Sequence, residues 1–292
     1  MSRLGAQLLA IAGVALVTSC SAAPGAPSSP APIFGGQGAV VAMPQEAPLP
    51  ADSGAPAAVS APAGPCTPPP KPTDVALLDD FEDGDSHLFK AFERDGWWFA
   101  ASDPTDGAKV YPATSHFQPD RLPPAESSKD NLFAAHFKAE GQKDWGATWG
   151  VGLQWESKGI RCPLNAAGFV GVRFRARGPG TVRVSFAMPE TQPTDQGGSC
   201  TTSCYDFHGK FVYLSDRWTD YLVRWDAVEQ GGWGTQARFD PSRLLRLAFS
   251  VSSKDVPIDF WVDDIAFVDA REAEALAAAA RTQPAGTPSR SR

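Results

Sequence analysis

The sequence predicts an all-β fold, a jelly-roll β-sandwich standing behind a Pro/Ala-rich N-terminal tether. Three observations carry this. Residues 169–178, FVGVRFRARG, alternate with period two: Val170, Val172, Phe174 and Ala176 face one way and Arg173, Arg175 and Arg177 the other. Turn residues rich in Gly and Pro recur along the chain from Val75 onward, as they do between strands. No stretch before Ala270 demands a helix of more than a few turns.

Residues 1–20 read as a signal peptide, because Arg3 precedes an apolar run at residues 8–17 that is too short to span a membrane. The small residues of Val17-Thr18-Ser19-Cys20 resemble a bacterial lipobox, in which Cys20 becomes the lipid-carrying N-terminus. Ser21 is not acidic, which by the same resemblance implies the outer membrane or cell surface. Residues 21–73 are mostly Ala, Pro, Gly and Ser, and cannot bury enough surface to offset their ordering entropy. They form a disordered linker, and residues 74–270 form the sandwich.

The first strand leads into a dense group of acids, VALLDDFEDGD at residues 75–85. Its expected mate is the last strong strand, IDFWVDDIAFVD at residues 258–269, with Asp263 and Asp264 among aromatic and β-branched residues. Like charges this close repel unless solvated or bridged, and hard oxygen donors suit Ca²⁺. Further strands are expected at residues 97–102, 131–139, 148–155, 211–214, 218–225 and 244–253. Gly178-Pro179-Gly180 is expected to close a hairpin between residues 169–178 and TVRVSFAM, residues 181–188. Residues 271–292 start as an Ala-rich helix former and end in Pro, Gly, Ser and Arg, a short helical or disordered tail.

A net charge of −7 over 292 residues, with no block of Lys or Arg, excludes tracking of a nucleic-acid backbone. Apart from Cys20 there are four cysteines, an even number that in an oxidising compartment gives two disulfides with three possible connectivities. We expect Cys200 with Cys204 and Cys66 with Cys162. The chain is expected to be monomeric and to meet the membrane through its lipid anchor alone.

The order DDFEDGD, RDGWWFAASD, GVRFRARG, CYDFHGK, RWTDYLVRWD, GGWG and DFWVDDIAF resembles the carbohydrate-binding modules of the galactose-binding-like jelly-roll class, family 11 in particular. The resemblance implies a polysaccharide or glycan partner and a structural Ca²⁺ joining the end strands through Glu82 and Asp263, with Asp80 as a further ligand. It also places Tyr205, Asp206 and His208 near the ligand.

Sugars stack their CH faces on flat rings while planar polar groups bond their hydroxyls, and nine Trp are a generous supply. Trp218, Trp225 and Trp261 lie on strands that can bury them. Trp97 and Trp98 are adjacent, so one faces in and the other is a platform. Trp233, in QGGWG, is either a ligand contact or a lid over the core. Arg173, Arg175, His136 and Gln154 offer polar partners, or else form an ordinary solvated face. Cys200, Cys204, Asp206 and His208 could be drawn as a metal site, but their spacing is not a zinc pattern. A glycosidase or lyase would need two carboxylates flanking the sugar, for which Glu156 and Asp206 are the candidates. The reading is non-catalytic glycan binding, with a protein-docking module on the same fold as the alternative.

Overall fold

The computed structural model describes residues 73–91, 94–113, 116–157 and 160–282. The expected signal peptide and linker, with Cys20 and Cys66, fall in residues 1–72 and lie outside the described residues. In chain order the strands are β1 (Leu77–Asp79), β2 (Arg94–Asp95), β3 (Trp98–Ser102), β4 (Lys109–Tyr111), β5 (Asp120–Arg121), β6 (Phe133–Glu140), β7 (Ala147–Gly152) and β8 (Gln154–Ser157). They continue as β9 (Ile160–Pro163), β10 (Gly171–Arg177), β11 (Thr181–Ala187), β12 (His208–Tyr213), β13 (Thr219–Arg224), β14 (Arg246–Val251) and β15 (Ile258–Val268), followed by one helix, α1 (Ala270–Thr282).

Two antiparallel sheets make the sandwich. One runs β13-β10-β15-β6-β4, with β1 paired to the far end of β15 and β5 to β6; the other runs β12-β11-β14-β7-β3. Strands β2, β8 and β9 form a separate ribbon. The alternation explains the layering, since Val172, Phe174 and Ala176 of one sheet and Val182, Val184 and Phe186 of the other are all fully buried in one shared core. Stacked and edge-on rings, Phe137 on Trp149 and Phe174 on Phe249, fill its middle. Each such side chain removed from water contributes about 1.5–3 kcal/mol.

The expected hairpin at Gly178-Pro179-Gly180 does not form. Strand β10 pairs with β13 and β15, whereas β11 pairs with β12 and β14, so the turn carries the chain from one sheet to the other. Alternation is identical for a hairpin and for such an arch, because both bury every second residue. Gly178 permits the crossing: its φ is +145° and a Cβ there would come within 2.6 Å of the Phe260 Cβ.

The end strands do meet, with Leu77 opposite Ala266 and Asp79 opposite Ile265. A bulge in β15 shifts the alternation by one residue at Asp263 and Asp264, where Asp264 has φ +50°, so Val262 and Ile265 both stay in the core. Helix α1 is longer than a frayed tail. The Asp269 carboxylate accepts the Glu272 N–H, an N-cap with Glu at the third position, and Glu272 itself accepts from Arg173 Nε at 2.7 Å.

Candidate functional site

The outward face of the five-stranded sheet is a trough. Register sets Phe99, Gly150, Ala248, Ser185 and Gly209 in one outward row across the five strands. Beyond Phe99 these residues are small, and all four are buried beneath the larger side chains beside the row, Phe99 over Gly150 and Arg183 over Gly209. Four strand spacings of roughly 4.8 Å make the face about 19 Å across. Gly150 matters individually, because a Cβ there would lie 2.6 Å from the Phe99 ring, so the ring rests on bare backbone.

Aromatic and planar polar groups wall one side. Trp97 faces outward by alternation from the buried Trp98 and is 45% exposed. Arg246, which pairs across β14 and β7 with Gly152, lays its guanidinium 4.9 Å from the centre of Phe99 and 5.6 Å from that of Phe207. Its Nη2 donates to Gln196 Oε1 at 2.9 Å, and Gln196 Nε2 donates to the Tyr205 hydroxyl at 2.8 Å. Burial lowers the Arg246 pKa below its ordinary value. Gln154, Gln192 and Gln196 line the same hollow as Trp97, Phe99 and Arg246. Gln192 is only 2% exposed, its Nε2 donates to the Gln196 carbonyl, and its Oε1 has no partner among the protein atoms. A buried amide oxygen left unpaired is uncommon.

Across the sheet the far wall is edge strand β12, where Phe211 is exposed on the outward face beside Arg183. The loop between β11 and β12 is tied by the disulfide of Cys200 and Cys204, as expected. Cys162 is also disulfide-bonded; Cys66, its expected partner, is outside the described residues. Tyr205 follows the disulfide with φ +75° and is 49% exposed. Asp206 is buried and accepts four consecutive backbone N–H groups, from Gly231 at 2.6 Å, Gly232 at 2.9 Å, and Trp233 and Gly234 at 3.1 Å. Its carboxylate shapes the loop that presents Trp233, which is 60% exposed.

The structure thus gathers Trp97, Gln154 and Tyr205 at one face, with Asp206 and Trp233 on the adjoining loops. Four expectations are corrected. Trp98 is 3% exposed, stacks on Phe117 and donates its Nε1 to Asp79 Oδ2 at 2.7 Å, so it is core and not platform. Arg173 and Arg175 belong to the other sheet, where they bind Glu272 and Asp264. His136 is also there, stacked on Trp261 between Asp120 and Asp259. His208 points into the core opposite Phe186, is 6% exposed, and burial depresses its pKa. Glu156 lies on β8, and its side chain is outside the described part.

Phe99, Gln192, Gln196 and Arg246 went unread in the sequence. Trp97 and Phe99 share a face by alternation, and the runs of Gly, Ala and Ser on the outward registers of β7, β14 and β11 were the available sign of a trough.

The acids near the chain ends divide their roles. Asp79, Asp80, Asp83 and Asp85 each accept the N–H two residues on, a tandem of Asx turns that accounts for the acidic run. Burial pushes the Asp79 carboxyl up to about 7. No group of three His, Cys, Asp or Glu arranged for a metal occurs among the described residues, so Asp80, Glu82 and Asp263 do not form the expected trio of carboxylates. Glu82 and Asp263 nevertheless converge on one segment. Glu82 Oε1 accepts the N–H groups of Leu132 and Phe133, and Asp263 Oδ2 accepts from Asn131 Nδ2 at 2.8 Å. Asn131 Oδ1 is buried without a protein partner. Two carboxylates and an unpaired amide oxygen are donors that fit a hard cation.

No protein-family profile matches the chain. Endoglucanase 3 of Fibrobacter succinogenes is 25% identical over 207 residues, which span 68% of this chain and 28% of that protein. Among solved structures, the family 11 carbohydrate-binding module of the cellulosomal cellulase Lic26A-Cel5E of Clostridium thermocellum is similar with a TM-score of 0.42 and 14% identity, over 66% of this chain and 94% of that one. A family 11 module from the same organism, in complex with a beta-1,3-1,4-mixed-linked tetrasaccharide, has a TM-score of 0.42 and 15% identity, over 68% and 98%. The family 30 module of its cellulase Cel9D-Cel44B has a TM-score of 0.39 and 14% identity, over 64% and 98%.

Proposed function

We propose that this chain binds a neutral polysaccharide along the trough of the five-stranded sheet and does not cleave it. The observation that carries the reading is the hollow where Trp97, Phe99, Arg246, Gln154 and Gln196 surround the side-chain-free Gly96 and Gly152. The Trp97 ring offers a surface for sugar CH faces, and the Gln154 and Gln196 amides can bond hydroxyls. The name of the sequence relative, an endoglucanase, favours a glucan, although the chain spans 28% of that protein.

The lining groups support binding without cleavage. Glycoside hydrolysis uses two carboxyl groups flanking the bond. The polar side chains lining the hollow are amides and a guanidinium, and Asp206 spends both oxygens on backbone N–H groups.

Glu82, Asp263 and Asn131 Oδ1 would hold a Ca²⁺ that cross-links the two end strands and contributes stability without touching the sugar. Export and lipid anchoring through Cys20, with residues 21–73 as a flexible reach from an outer membrane or cell surface, rest on the sequence alone. Retention of the whole chain on immobilised soluble and insoluble polysaccharides tests the function. One retained glycan class, lost in Trp97→Ala, supports it; no retention on any polysaccharide rejects it and favours a protein partner.

A further inference from the structure

A second hollow lies on the other side of Trp97. It encloses about 470 Å³ and is lined by Asp85, Ser86, Trp97, His116 and Gln118 around the outer flank of β3. That volume is within the roughly 300–1,000 Å³ of ligand pockets. Trp97 and Phe99 line both hollows, so the two adjoin at these rings.

The backbone here extends the sheet. Trp98 N–H donates to the Ser86 carbonyl at 2.7 Å and Leu88 N–H to the Gly96 carbonyl at 3.0 Å, with His87 opposite Trp97 in an antiparallel bridge. Residues 84–88 therefore stand as a sixth, irregular position beyond β3. They are held there by the Asx turns of Asp83 and Asp85, which accept the N–H groups of Asp85 and His87. The rim is built of hydrogen-bonding groups, and Asp85, His116 and Gln118 are exposed.

We propose that this hollow is a further subsite for the same glycan, taking the sugar units that overrun Trp97 at the edge of the trough. The inference rests on the glycan-binding reading above. Trp97 would serve both hollows, and Asp85, His116 and Gln118 would bond hydroxyls. The carboxylate of Asp85 makes this end suited to neutral sugars and disfavours uronic acids.

The test is titration calorimetry of the whole chain with β-1,3-1,4-linked glucan oligosaccharides from disaccharide to octasaccharide. His116→Ala/Gln118→Ala replaces two exposed residues and should leave the fold intact, which circular dichroism checks. The expected result is equal affinity of variant and wild type for the shortest binding ligand, with a deficit of about tenfold, near 1.4 kcal/mol, for the longest. Identical affinities at every length overturn the subsite while leaving the trough in place. Failure of the wild type to bind at any length overturns the subsite for this glucan and leaves the trough itself to the polysaccharide panel.

Discussion

The guanidinium of Arg246 lies 4.9 Å from the centre of the Phe99 ring, on neighbouring outward registers of the five-stranded sheet. Arginine is suited to this place because one planar group covers two rings and still donates to Gln196. An Arg246→Lys variant keeps the charge but cannot cover both rings and reach Gln196 with the same geometry. We expect its glucan affinity to fall about tenfold with little change in melting temperature, as read by calorimetry and thermal melts. Unchanged affinity would remove Arg246 from the site.

Trp98 is a stability residue. Truncation to Ala removes a ring packed on Phe81, Phe117 and Phe137 and leaves the buried Asp79 without its indole donor. A loss of about 3–5 kcal/mol is expected on denaturant unfolding. A loss below about 1 kcal/mol, at the small end for a core truncation, would contradict the packing described.

His208 sets an acid limit on stability. Its folded pKa lies below the ordinary 6.5, chiefly through burial, and Asp206 and Arg183 are the charged groups that bear on it. As pH falls below 6.5 the unfolded chain takes up a proton that the folded core refuses. Stability should therefore decline from that pH downward, toward the folded pKa. The decline should be shallower in His208→Leu, measured as melting temperature against pH; parallel profiles would contradict it.

The Ca²⁺ reading predicts that the wild type melts at higher temperature in Ca²⁺ than in chelator. The difference should vanish in Asn131→Ala, which removes the unpaired amide oxygen and leaves Glu82 in place. Equal melting temperatures for the wild type in both buffers would exclude the site.

The strands were legible because burial on one face writes period-two alternation into residues such as Val172, Phe174 and Ala176. Which strand pairs with which was not, since the Gly178-Pro179-Gly180 arch and a hairpin share that pattern. Trp97 could be narrowed to one of two adjacent rings by alternation alone, but choosing it over Trp98 needed the Asp79 partner nineteen positions away. Gln192 and Gln196 sit on a turn-rich loop with no period to mark them, and Arg246 lies about fifty residues further on; only the folded chain joins them. The acidic run at residues 79–85 could not be divided by sequence, because carboxylates that cap turns, as Asp79, Asp80, Asp83 and Asp85 do, look like carboxylates that hold a metal.

The most direct measurement is titration of the whole chain with a soluble mixed-linked β-glucan, wild type beside Trp97→Ala. Trp97 is exposed and outward, so the variant should fold as the wild type does. The account predicts saturable binding by the wild type and a loss of at least about tenfold in the variant, from lost ring stacking. Equal binding by the two proteins would place the ligand elsewhere and contradict the trough as the site.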